Sequence, residues 1–163
     1  PAVMLALDAT LVLQGPDGER QQPANGFFLG TYWNDLQEHE ILVELRIPVI
    51  KPGVGHGYSK LKRKTGDYAV AGSPVVVELD GDVCSDIRIA LTNVAPMAIR
   101  VEAAESLLRG KVIDDALIEQ AAAEVIKACD PAEDLRGDVL YKSHMAAEMA
   151  RRSIRAALQQ ARG

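Results

Sequence analysis

Lys60, Lys62, Arg63 and Lys64 stand within five consecutive positions of "YSKLKRKTGDYAVAG" (58–72), and Thr65-Gly66-Asp67-Tyr68 follows directly. Cations gathered beside an acid and an aromatic could hold an anionic, flat ligand, the ammonium groups neutralising charge and the ring offering a plate. In an extended strand Lys60, Lys62 and Lys64 share one face, with Leu61 and Arg63 on the other. Like charges on one face repel, which water tolerates and a bound anion relieves. The plain alternative is a solvated sheet edge guarded by lysines. On residue chemistry alone both readings stand, and the guarded edge is the commoner arrangement.

The remaining reactive residue types form no constellation. "PGVGHG" (52–57) is glycine-rich, yet it lacks the Gly-Lys-Ser/Thr of a phosphate loop and reads as a linker. His39, His56 and His144 have no partner at metal-ligand spacing, and Cys84 and Cys129 lie far apart without a CxxC. That cysteine usage excludes an iron–sulfur cluster built by this chain and fits a reducing cytoplasm. Asp80 and Asp82 flank a turn, where carboxylates are expected for turn reasons. No Ser-His-Asp or Cys-His set can be placed, so a nucleophile or general base is not expected here.

Composition narrows the class further. The chain has 163 residues, 48% of them apolar and 25% charged, which is globular. A net charge of −5 argues against a protein that coats nucleic acid, so the positive cluster is local. With one aromatic at each end, that cluster also lacks the stacking platform of a single-strand binder. No apolar run approaches the ~20 residues of a membrane span. The opening "PAVMLALDATLVLQG" has no initiator Met and enters at once into structured-looking sequence, as expected of a chain whose upstream part is missing.

The elements that must position the cluster follow from pattern. Residues 1–50 read as the end of a β-rich domain. "TLVLQGPDGERQQ" is a hairpin about Pro16-Asp17-Gly18, and Ile41, Val43, Leu45 and Ile47 alternate as a half-buried strand. Residues 51–57 are the expected linker. Beyond it, "AVAGSPVVVEL" (69–79) and "VCSDIRIALTNVA" (83–95) form a hairpin, with Ile87, Ile89 and Leu91 on one face and Arg88 and Ala90 on the other. Three helices follow: about 100–109, stopped by Gly110; one from Asp114 or Asp115 with Leu117, Ile118, Ala121, Ala122, Val125 and Ile126 in phase; and one capped by Ser143, with Met145, Met149, Ile154 and Leu158 inward. Strands and then helices in segregated runs indicate α+β, a small antiparallel sheet covered by helices on one face.

Taken together, these stretches resemble the medium, FAD-binding subunit of aerobic carbon monoxide dehydrogenase and its relatives in the xanthine dehydrogenase family, the molybdenum hydroxylases. "YSKLKRKTGDYAVAG" carries the resemblance with "LALDATLVLQGPDGER", "FFLGTY", "EILVELRIP" and "DVCSDIRIALTNVAPMAIRVEAAESLLRG", so it covers essentially the whole chain. It implies the end of an FAD-binding domain over 1–50 and the flavoprotein C-terminal domain over 58–163, a three-stranded sheet packed against a three-helix bundle.

The resemblance also implies a role in electron transfer. Electrons would pass from a molybdenum-cofactor large subunit through the 2Fe–2S clusters of a small subunit to FAD, and leave to an external acceptor. Lys62 matches the family's FAD-contacting lysine, and Leu42 matches a residue touching the cofactor. Tyr68 is the candidate aromatic over the isoalloxazine, with Asp67 beside it. A fixed cation near a flavin favours its reduced form and tightens binding. The family's glycine-rich loops of the types AGG-x-S and T-x-GG occur nowhere in this sequence. With those phosphate-anchoring N–H groups missing, FAD is expected to bind this chain weakly or not at all, and the chain alone to be inactive. A docking role, with Phe27, Phe28, Tyr32 and Trp33 meeting the partner subunits, is the rival expectation.

Overall fold

The computed structural model describes all 163 residues. Two layered units share one wall. The first runs from α1 (Ala2–Ala6) through the hairpin β1 (Thr10–Gly15) and β2 (Gly18–Pro23), the short pair β3 (Phe28–Gly30) and β4 (Trp33–Asn34), to β5 (Ile41–Arg46). Its sheet has the order β2-β1-β5, all antiparallel. The second unit contains β6 (Val54–Lys62), β7 (Ala69–Asp80), β8 (Val83–Leu91) and the two-residue β9 (Ile99–Arg100) in that spatial order. After them come α2 (Glu102–Leu108), α3 (Asp115–Ala128) and α4 (Val139–Ala161). The expected α+β architecture is present, with three long strands and three helices in the C-terminal unit.

Alternation along the strands sorts side chains into two cores. Val75, Val77, Ile87, Ile89 and Leu91 face the helices, meeting Leu108, Ala121, Val125, Ala150 and Ile154. Val76 and Ala90 point the other way, into a smaller core with Leu5, Leu11, Leu13 and Phe27 of the first unit. The period-two pattern of β8 is therefore seen as expected. So is the hairpin: Asp80 pairs with Val83, and Gly81 sits at φ +59° in the turn.

Three expectations need correction. The segment 51–57 is not a linker throughout, because β6 begins at Val54. Gly55 and Gly57 lie against α4 so closely that a Cβ at the first would collide with the backbone of Ala157, and at the second with that of Ser153. These glycines allow a helix to ride on a strand. The helix in turn satisfies the edge, since Ser59 N–H donates to Ser153 Oγ at 2.8 Å and His56 N–H to Gln160 Oε1 at 2.7 Å.

The last helix starts earlier than Ser143. Asp138 is its N-cap and accepts from Tyr141 N–H at 2.7 Å, while Ser143 Oγ, inside the helix, donates to Val139 O at 2.8 Å.

Finally, β5 is not half-buried. A register shift between Val12 and Leu13 leaves Val43 without a counterpart in its pairing with β1, and Ile41, Val43 and Leu45 are all exposed on this sheet edge.

Candidate functional site

The cationic cluster straddles the end of β6 and the bend that joins it to β7. Lys60 pairs with Gly72 and Leu61 with Ala71, and a bulge then shifts the ladder so that Lys62 pairs with Ala69. The expected ridge of Lys60, Lys62 and Lys64 on one strand face is thus interrupted. Leu61 packs against the helical core, Lys60 and Lys62 project from the strand, and Arg63 and Lys64 belong to the bend. Gly66 takes φ +84° and turns the chain, and Asp67 N–H donates to Lys64 O at 3.2 Å.

At the corner, Asp67 Oδ1 accepts from Tyr68 N–H at 2.8 Å and pairs with Arg136 Nη2 at 3.2 Å. The Arg136 guanidinium holds the Asp67 carboxyl below its usual range, with the Tyr68 amide and the Lys64 charge adding to the effect. The carboxylate is therefore ionised and fixed. Tyr68 is 79% exposed, with the Arg136 guanidinium 5.7 Å from its ring centroid. Arg63 donates to Leu135 O at 3.1 Å, and a depression lined by Arg63, Lys64 and Asp67 opens beside the corner.

Unpaired cations are concentrated in this region, while Lys51, Lys111 and Arg162 stand unpaired singly elsewhere. Lys60, Lys62, Arg63 and Lys64 make no ion pair, whereas most other arginines of the chain do. In an acidic chain, uncompensated cations on the same short segment as an exposed aromatic fit an anionic, planar group. The structure brings Lys62, Asp67 and Tyr68 onto one short segment. Leu42 stands on the other sheet, on the open edge strand β5, where it is 39% exposed.

Residues read as chemically idle stay apart. His39, His56 and His144 are exposed on three different segments, and no group of three or more His, Cys, Asp or Glu residues could hold a metal ion. Burial pushes the Cys84 and Cys129 thiols up to about 11, so neither is a ready thiolate. No helix is long and apolar enough to cross a membrane. In the aromatic segment, Phe27 is buried and packs edge-to-face on Phe28 with centroids 5.3 Å apart; Tyr32 and Trp33 alone of the four are exposed.

Sequence pattern gave no sign of two features. One is Arg136, in a loop with no periodicity to announce it. The other is a network around Glu105, fully buried, which pairs with Arg100 at 2.7 Å and Arg109 at 2.9 Å and accepts from Ile89 N–H at 2.9 Å. Asp8 of the first unit joins it through Arg100 and also holds Arg88, each at 2.9 Å. Thus the units are bound by charge as well as by the shared apolar wall.

Comparison with known proteins gives this geometry a family. Residues 56–157 match the CO dehydrogenase flavoprotein C-terminal domain, and residues 1–50 match the FAD binding domain in molybdopterin dehydrogenase. The chain is 52% identical to the carbon monoxide dehydrogenase medium chain of Hydrogenophaga pseudoflava, across 96% of this chain and 55% of that one. Against the medium chain from Afipia carboxidovorans identity is 38%, across 99% and 56%. The solved carbon monoxide dehydrogenase of H. pseudoflava superposes with a TM-score of 0.96 over 98% of this chain and 56% of that chain. The chain spans about half the length of the curated relatives it matches. It belongs to the CO dehydrogenase flavoprotein family, joining part of a molybdopterin-dehydrogenase FAD-binding domain to the flavoprotein C-terminal domain.

Proposed function

We propose that this chain supplies one wall of an FAD site in the medium subunit of a molybdenum hydroxylase of the carbon monoxide dehydrogenase type. When bound, FAD would accept electrons delivered from the 2Fe–2S clusters of a small subunit, ultimately from a molybdenum-cofactor large subunit, and pass them to an external acceptor. What this chain contributes is position and charge. Lys62 faces the cofactor with its ammonium, Tyr68 offers a plate, Asp67 fixes the backbone of that plate, and Leu42 makes an apolar contact. No proton transfer by a side chain is required.

The observation that carries this reading is the run of unpaired cations on the strand end and bend that lead into the exposed Tyr68, in a chain of net charge −5. FAD titration followed by flavin absorbance and fluorescence tests it. Weak, saturable binding is expected, reduced roughly tenfold or more by Lys62→Glu and by Tyr68→Ala. Binding that ignores both changes would overturn it.

A second reading, docking to the partner subunits, is favoured by Tyr32, which is fully exposed at φ +56°, and by Trp33, 65% exposed. Thr31 Oγ1 donates to Pro96 O at 2.9 Å, pinning this hairpin to the C-terminal unit. Co-purification of the large and small subunits with the chain, lost on Trp33→Asp, would be the sign of it. Retention unaffected by that change would remove this hairpin from the interface.

A further inference from the structure

Tyr68 is a plate with little to hold it. The residue is 79% exposed, and its N–H is bonded to the carboxylate of the preceding residue. Among charged groups, Arg136 alone lies over the ring, 5.7 Å from its centroid. The same guanidinium is bonded to Asp67, the acceptor of that N–H, at 3.2 Å. One side chain therefore touches both the face and the foot of the aromatic.

Arg136 is itself firmly placed. It lies in the segment 130–138 between α3 and α4, where Asp134 and Gly137 exchange backbone hydrogen bonds at 3.2 and 3.1 Å. Asp134 Oδ1 accepts the Arg136 N–H at 2.8 Å and pairs with Lys142 Nζ at 2.8 Å. The Lys142 side chain, only 3% exposed and rooted in α4, also donates to Ala132 O at 2.6 Å. The path from α4 to the aromatic is thus Lys142, Asp134, Arg136, Asp67, Tyr68. Arg63, donating to Leu135 O at 3.1 Å, ties the same strap to the bend from the other side. The Arg136 side chain is 28% exposed, and its Nε–H is shut off from solvent with no partner of its own. An unpaired buried donor costs free energy, while the planar fork of arginine can meet an acid and an aromatic together.

We propose that Arg136 is the positioning residue for Tyr68, holding the Gly66-Asp67-Tyr68 corner to α4 so that the ring presents a fixed face to a planar anionic cofactor. This rests on the reading of Tyr68 as part of the FAD wall. It adds that the wall is set by a residue from the helical side of the domain, far along the chain from the cationic cluster.

The test uses the whole chain and the variants Arg136→Gln, Arg136→Lys and Tyr68→Ala, with FAD as the titrant. Flavin fluorescence gives the affinity, and hydrogen exchange at the Tyr68 amide gives the order of the corner without any ligand. Arg136→Gln is expected to weaken FAD binding about tenfold and to speed exchange at the Tyr68 amide several-fold. Arg136→Lys, which keeps a cation able to reach Asp67, restores part of both. If Arg136→Gln changes neither quantity while Tyr68→Ala weakens binding, the positioning role is wrong and the FAD wall stands. Should Tyr68→Ala leave FAD affinity unchanged, the FAD wall falls and this inference with it.

Discussion

Ser153 Oγ donates to Ser73 O at 2.6 Å and accepts from Ser59 N–H at 2.8 Å, so a single hydroxyl on α4 bridges two adjacent strands. Ser153 is fully buried, which leaves water no route to replace it. Ser153→Ala strands the Ser59 N–H and is expected to destabilise the chain by about 1–3 kcal/mol. Equilibrium unfolding in urea checks it: the midpoint falls with an unchanged slope. An unaltered midpoint would mean that the bridge carries no stability.

Gly57 lies directly beneath Ser153, where a methyl group would collide with backbone that cannot step aside. Gly57→Ala must push α4 off the sheet, and a loss of roughly 2–3 kcal/mol is expected. Gly18, where a Cβ meets no atom within 4 Å, is the control for space, although its φ of +118° brings a backbone cost instead. Thermal midpoints of the two alanine variants give the comparison, with Gly57→Ala the lower.

Glu105 pairs with two arginines and accepts from the Ile89 N–H from a fully buried position. Glu105→Ala leaves Arg100 without its closest partner and the Ile89 N–H unpaired, and a loss of about 3–5 kcal/mol is expected. Glu105→Leu with Arg100→Met removes both members of that pair and should recover part of it. A double variant as unstable as the single would show that the loss comes from shape instead of charge.

Glu40 provides the acid response. Arg20 donates to it at 2.6 and 2.8 Å and Gln37 N–H at 2.8 Å, and these bonds lower its carboxyl from 4.5 to about 2. The folded state therefore binds this proton less readily than the unfolded chain does. Its contribution is full above about pH 4.5 and drains away as pH falls toward about 2. Thermal midpoints of the native chain should fall more steeply across that window than those of Glu40→Gln. Parallel curves would refute the assignment.

How far these features could be read from sequence depends on their range. The β7–β8 hairpin was legible because Asp80-Gly81 announces a turn and alternation at Ile87, Ile89 and Leu91 survives folding intact. Helix α3 was legible because Asp114 caps it, accepting from Leu117 N–H at 2.8 Å, and its apolar spacing is unbroken. The start of α4 was not, because Leu140 and Tyr141 are exposed and carry no inward phase there. In β6 the glycines read as a linker, yet their use is a close approach to residues about a hundred positions later, which no local pattern encodes. The bulge at Leu61/Lys62 broke the lysine alternation for a similar reason, since register is set by the neighbouring strand. Of the candidate site, the segment Lys62–Tyr68 was legible as a chemical unit; Arg136, which joins it in space, was not.

The nine consecutive buried residues of β7, Ala69–Val77, have their own consequence. With Val75 and Val77 seated among the helices and Val76 in the smaller apolar cluster, this strand is a party wall, and removing either room exposes it to the street. Melting should then register as one event by calorimetry and by circular dichroism alike, with the fifty residues at the start lost together with the three helices on the far side of the strand.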